Sequence, residues 1–141
     1  TYNAKNQTTK VTVKYGNTVL KRGTDYKITG VTKAKNAGKY KITVKGINNY
    51  KGTKTIYYTI NKAAQKSVKV KVNASKKITV SGVKAKAKVT YKSANKKVKV
   101  KNGKITVGKG VKKGTKVRIT VKVAATKNYK AYSKSIIYKV K

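Results

Sequence analysis

Chemistry in this chain has to come from lysine and tyrosine, because the other usual carriers of catalysis are missing. The sequence holds no His, no Cys, no Glu and a single acid, Asp25. General acid–base catalysis needs titratable groups tuned against one another. Nucleophilic triads need a base beside the nucleophile, glycoside hydrolysis needs two carboxylates, and zinc needs Cys, His or carboxylate ligands. None of those sets can be assembled here. A Lys nucleophile is chemically allowed, since neighbouring cations lower an ammonium pKa. Yet Arg22 and Arg118 apart, all of the 39 basic residues are lysines, and none is singled out by its neighbours. The chain reads as non-enzymatic, with no cofactor, no metal and no small-molecule substrate.

Asp25 has two readings. As a functional group it would be a cation ligand or the helper carboxylate of a Lys–Asn isopeptide crosslink. As a structural one it is an Asx-type turn cap with nearby Lys or Arg as counter-ions. Hard cations want several carboxylate oxygens, and a net charge of +38 opposes calcium. Asp25 is therefore assigned to a turn.

The lysines carry the sharper hypothesis. A lysine run is ordinarily a solvated face, but +38 on 141 residues is far beyond what solubility requires. Such a surface attracts polyanions by counterion release. Nucleic acid, teichoic acid or other acidic glycans, and anionic membrane surfaces all qualify. The diffuse binding set is Lys10, Lys14, Lys69, Lys71, Lys97, Lys99, Lys101, Lys116, Arg118 and Lys122. Only Arg22 and Arg118 offer the planar fork suited to bidentate recognition, so binding is expected to be sequence-nonspecific and salt-dependent. All 11 aromatic residues are tyrosines. Tyr50 and Tyr129, each in an Asn-Tyr-Lys triplet, are candidates for stacking on single-stranded bases, with Tyr132 close by. The competing reading folds these rings back onto a sheet edge.

The elements that must position these side chains are strands. Val11, Val13 and Tyr15 alternate with lysine and threonine. So do Val68, Val70 and Val72, then Val98 and Val100, then Val117, Ile119, Val121 and Val123. Period-two alternation puts β-branched residues on one sheet face and ammonium groups on the other. High charge with modest hydrophobicity is also a signature of disorder, and self-repulsion opposes compaction. The alternation decides for folding. Strands are expected near 10–15, 18–21, 25–31, 38–47 and 53–61, and then near 67–72, 76–81, 86–92, 96–101, 104–107, 116–124 and 134–140. Gly16-Asn17, Asn36-Ala37-Gly38, Asn48-Asn49 with Gly52, Ser81-Gly82 and Asn102-Gly103 supply turns. The Asn102-Gly103 pair is the sharpest hairpin signal. Tyr26, Tyr40, Tyr58, Tyr91 and Tyr138 sit among strand residues and are assigned to the core. The alternation breaks over Asn61–Lys66, which divides the chain into modules 1–62 and 66–141 with 63–65 as linker. No Cys means no disulfide to support units this small. A chain beginning at Thr1 without an initiator Met reads as part of a longer protein.

Particular residues also resemble known repeats. In the first module Thr1-Tyr2-Asn3-Ala4, Gln7-Thr8, Gly23-Thr24-Asp25-Tyr26, Asn36-Ala37-Gly38 and Asn49-Tyr50-Lys51-Gly52-Thr53 resemble a bacterial surface-protein repeat with "GTDY", "NAG" and "GNYxGT" segments. In the second, Ile78-Thr79-Val80, Tyr91-Lys92-Ser93-Ala94-Asn95, Asn102-Gly103-Lys104-Ile105 and Lys113-Gly114-Thr115 resemble a group 2 bacterial immunoglobulin-like domain. Thr9 stands where the repeat often has Pro, and the acids normal in these families are missing. The resemblance implies two tandem small immunoglobulin-like β-sandwich modules, extracellular or on a bacterial cell surface, serving adhesion, spacing or glycan attachment. The expectation is a monomeric cationic module for adhesion or spacing that binds polyanions. Its rivals are a nucleic-acid-binding or supercharged cell-penetrating carrier, natural or engineered, and an inert spacer.

Overall fold

The computed structural model describes residues 1–141, and the protein is all-β. It forms two compact units, Thr1–Ala63 and Ala64–Lys141. Fourteen of the 39 basic residues lie in the first unit together with Asp25, for a net +13; the other 25 lie in the second with no acid.

The first unit contains β1 (Gln7–Thr8), β2 (Lys14–Tyr15), β3 (Thr18–Val19), β4 (Tyr26–Gly30), β5 (Lys33–Ala34), β6 (Gly38–Gly46) and β7 (Thr53–Ile60). Strands β4, β6 and β7 form an antiparallel sheet in the order β4-β6-β7. The short strands β1 and β5 pair with each other, as do β2 and β3 across the Gly16-Asn17 turn. The pair β1–β5 is not expected from the sequence, and the expected strand 10–15 ladders only at Lys14–Tyr15. The backbone there changes partner. Thr9 donates to the Thr32 carbonyl, whereas Val13 accepts from Leu20. Val11 and Val13 still turn inward, onto Leu20, Tyr26 and Val44. Their alternation records burial without a continuous ladder.

The second unit contains β8 (Lys69–Val72), β9 (Ile78–Ser81), β10 (Val89–Ser93), β11 (Val98–Lys101), β12 (Lys104–Val107), β13 (Lys116–Val123) and β14 (Tyr132–Lys139). One layer is the antiparallel sheet β10-β13-β14. The other is made of the hairpins β8–β9 and β11–β12, joined by a bridge between Lys77 and Lys104. Val70, Ile78, Val98 and Ile105 from the hairpins meet Val117, Ile119, Val121 and Val123 from the sheet in one buried cluster. Ile119 and Val121 are 0% exposed. Burying each such side chain contributes roughly 1.5–3 kcal/mol. Where a strand is expected to begin at residue 86, a 3-10 turn at Lys84–Lys86 intervenes, with positive φ at Ala85 and Lys86, and β10 starts at Val89. Gln65, assigned to the linker by sequence, is only 3% exposed, and its Oε1 accepts the Lys84 N–H at 3.0 Å. It is an anchoring residue of the second unit.

The Asn102-Gly103 hairpin forms as its sequence dictates. Both residues have positive φ, 48° and 80°, and Lys101 faces Lys104 directly. Positive φ at both positions is what a two-residue hairpin turn of the primed type requires. Gly103 is also buried against β9. Its carbonyl accepts the Ile78 N–H, and a Cβ there would lie 2.5 Å from the Ile78 carbonyl oxygen. Gly103→Ala is expected to cost the second unit roughly 2–3 kcal/mol in thermal unfolding. Gly16→Ala, with positive φ but open space around it, should cost about 1 kcal/mol. Equal losses at the two sites would contradict the contact at Gly103.

Candidate polyanion-binding surfaces

Strand pairing decides which lysines share a face, since directly opposed residues point to the same side of a sheet. On the hairpin layer of the second unit, the core-facing set is Val70, Ile78, Val98 and Ile105. The intervening residues therefore face outward together: Lys69 and Lys71 on β8, Lys77 at the start of β9, Lys99 and Lys101 on β11, and Lys104 on β12. The sheet layer turns Lys92, Lys116, Arg118, Lys122 and Lys139 outward on the far side of the same core. In the first unit, the outward face of β4-β6-β7 carries Lys27, Lys39, Lys41 and Lys45. All of the lysines and both arginines are exposed.

The residues singled out from sequence are thus divided. Lys69, Lys71, Lys99 and Lys101 share one face, with Lys97 just before β11. Lys116, Arg118 and Lys122 lie on the opposite face of that unit. Lys10 lies in an unpaired segment of the first unit, and Lys14 is on β2 opposite Val19. Sequence reasoning missed Lys77 and Lys104, which join the hairpin face only through a bridge between distant segments. It also missed Lys39, Lys41 and Lys45, although the alternation in Gly38–Gly46 carries the signal.

These faces hold like charges in direct opposition. Lys27 faces Lys45, Lys101 faces Lys104, Lys77 faces Lys104 and Lys116 faces Lys139. Cross-strand like charges destabilise a sheet. Hydroxyl residues occupy many of the remaining outward positions. Thr29, Thr43 and Thr55 form a row across three strands, and the Thr120 and Ser135 hydroxyls are 3.2 Å apart. A surface of ammonium and hydroxyl groups presents donors for anionic oxygens with no carboxylate competing for them.

The tyrosines separate into packed and open rings. Tyr26 and Tyr138 are buried, and Tyr40 stacks on Tyr58 with ring centroids 5.2 Å apart. Tyr50 is half-buried against Leu20, Tyr26 and Val44, and Tyr15 meets it edge to face. Tyr129 is half-buried in a turn closed by hydrogen bonds with Thr126. Tyr132 is half-buried on β14. The open rings are instead Tyr15 and Tyr57, 71% and 56% exposed. The Lys39 ammonium sits 4.4 Å from the Tyr57 ring centre, a cation–π contact. Asp25 closes a turn: its Oδ2 accepts the Lys21 N–H at 2.7 Å and its own N–H donates to the Lys21 carbonyl.

Comparison with protein-family models, with curated proteins and with solved structures finds no match for this chain.

The opposed lysines and the buried phenol can each be tested. Lys116→Glu, placed opposite Lys139, should raise the melting temperature by roughly 2–4 °C at low ionic strength, with the gain shrinking as salt is added. A loss of stability at low salt would contradict the pairing. The Tyr58 hydroxyl is buried with no protein partner. Burial, and then the neighbouring Tyr40 hydroxyl, push its pKa above the usual phenol range. The folded state therefore holds this proton more tightly than the unfolded one. The associated stability is complete below pH of about 10 and is lost as pH rises through the folded value. In a near-ultraviolet tyrosinate titration, Tyr58→Phe should remove one tyrosine's worth of the high-pH signal. An unchanged high-pH limb would contradict the assignment.

Proposed function

We propose that this protein is a non-enzymatic, cationic scaffold of the bacterial-surface type, which holds acidic polymers on the outer faces of its sheets by nonspecific electrostatics. The observation that carries this reading is the hairpin face of the second unit, where Lys69, Lys71, Lys77, Lys99, Lys101 and Lys104 point outward together in a unit without any acid. Successive outward residues on a strand are about 6.8 Å apart and neighbouring strands about 4.8 Å apart. A flexible polyanion laid across such a face meets an ammonium or a hydroxyl group at each outward position, and released counterions drive the association. The charges here are almost all lysine, mobile point charges without the planar fork that reads one phosphate or base geometry. That supports affinity for acidic glycans, teichoic acid, nucleic acid or an anionic membrane alike. The segments resembling bacterial surface repeats favour an extracellular setting, where acidic wall polymers and glycans are the available ligands. The same segments favour tandem immunoglobulin-like modules.

Titration of a DNA duplex and of an acidic polysaccharide across a salt series tests the reading. For duplex DNA, six neutralised phosphates give a log–log slope of about −5. Replacing Lys99, Lys101 and Lys104 together with Gln should make that slope shallower by nearly 3. Affinity for both polymers that persists at high salt, or a slope untouched by the triple substitution, would overturn it.

A further inference from the structure

We infer that a cleft in the first unit seats one anionic sugar ring of an acidic polysaccharide, which gives the electrostatic surface a shaped site; this rests on the polyanion-binding reading above. The cleft has a volume of about 220 Å³ and lies between the β2–β3 hairpin and the chain from Gly46 to Lys54. Its inner side is apolar, with Leu20 and Val44 beside Tyr26. Its aromatic corner is Tyr15 against Tyr50, with ring centroids 5.7 Å apart and planes at 66°.

Three features point to a ligand. Tyr15 is the most open of the exposed large apolar side chains, yet its ring is held by the edge contact with the half-buried Tyr50. An aromatic surface fixed before the ligand arrives loses little entropy on binding. The geometry around Tyr50 is also built. A Cβ at Gly46 would lie 2.7 Å from the Tyr50 carbonyl oxygen, so only glycine lets the turn fold back this closely. The Gly46 N–H donates to the Gly52 carbonyl, closing that turn. Finally, the charges lining the cleft are all of one sign. Lys14, Lys51 and Lys54 line it, and no acid does. The sole carboxylate side chain of the protein, Asp25, is held by the Lys21 N–H. Lys54 faces Val44 across β6 and β7, which places it on the core-facing side at the sheet edge.

An anionic pyranose matches this arrangement. Its C–H face lies on a tyrosine ring, its carboxylate or sulfate meets the ammonium groups, and one ring fills the available volume. A nucleobase matches less well. No Asn, Gln, Asp or Glu side chain lines the cleft to accept from a base's ring or exocyclic N–H groups or to form an amide pair with a base edge. The cleft is therefore suited to the sugar.

The test is calorimetric titration of the whole chain with a short oligogalacturonate and with an oligothymidylate of equal charge, at fixed salt. The wild type is compared with Tyr15→Ala and with Lys14→Gln/Lys51→Gln, and circular dichroism verifies that each variant is folded. Tyr15→Ala should weaken oligogalacturonate about tenfold and leave its salt slope unchanged, because no charge is removed. The double lysine variant should weaken it and also make the slope shallower. If Tyr15→Ala binds oligogalacturonate as the wild type does, the cleft holds no sugar, while the electrostatic reading of the surface stands. If it loses only oligothymidylate, the cleft is a base-stacking site and the sugar assignment is wrong. A wild type that binds neither polymer overturns the polyanion reading and this site with it.

Discussion

The pleat of the β-strand is the constraint on which this protein depends. Successive side chains must point to opposite sides of a strand, and here one side is nearly always β-branched and the other nearly always carries an ammonium or a hydroxyl group. No helix could sort the residues Lys116–Val123 this way, because a period of 3.6 would carry Arg118 or Lys122 into the core with Ile119 and Val121. With every cation solvent-exposed, including those at the sheet edges, the apolar faces close over one another without any buried charge. The same period that buries the valines sets the lysines in ranks.

Those ranks oppose folding as well as serving it. Repulsion within a net charge of +38 acts against the compact state. Eleven buried apolar residues form the core of the second unit, which carries 25 cations, against six in the first, with 14. The heavier charge thus accompanies the larger core. Lysine is well suited to such crowding, since its head is strongly hydrated and its long stem lets neighbouring charges splay apart. The charge also guards the open sheet edges. On the edge strands β7 and β14, Lys54 faces Val44 and Lys134 faces Val121, both on the core-facing side. An inward-pointing charge on an edge strand discourages pairing with another chain. In β7 this matters most, because Thr55–Ile60 is uncharged and rich in β-branched and aromatic residues.

Much of this is legible in the sequence because it is local. The all-β class, the long strands β6, β7 and β13 and the Asn102-Gly103 hairpin follow from alternation and turn chemistry within a dozen residues. Asp25 sits in a turn with Lys21 because a short carboxylate reaches a backbone N–H a few positions away. What escapes is non-local. The two-residue strands β1 and β5 are too short to show a period. Tyr15 and Tyr50 meet only after the chain has passed through β3, β4 and β6, so nothing near Tyr15 announces that its ring would be open and held. Tyr50 sits among turn residues, which leaves both a stacking ring and one folded back onto a sheet edge open in sequence; the residues it packs on, Leu20 and Val44, come from distant segments. Lys77 and Lys104 likewise become neighbours only through the bridge that joins two hairpins.

Cores made by strand alternation thus hold the fold together against a surface crowded with like charge. Thermal unfolding of the unmodified chain, followed by circular dichroism from very low to high sodium chloride, tests this balance most directly. Screening shortens the reach of the repulsion to about 10 Å at 0.1 M and about 3 Å at 1 M. The melting temperature should therefore climb steeply at first and then level off as the charges cease to sense one another. A melting temperature that stays flat or falls with added salt would contradict this, because the lysine ranks would then place no strain on the fold.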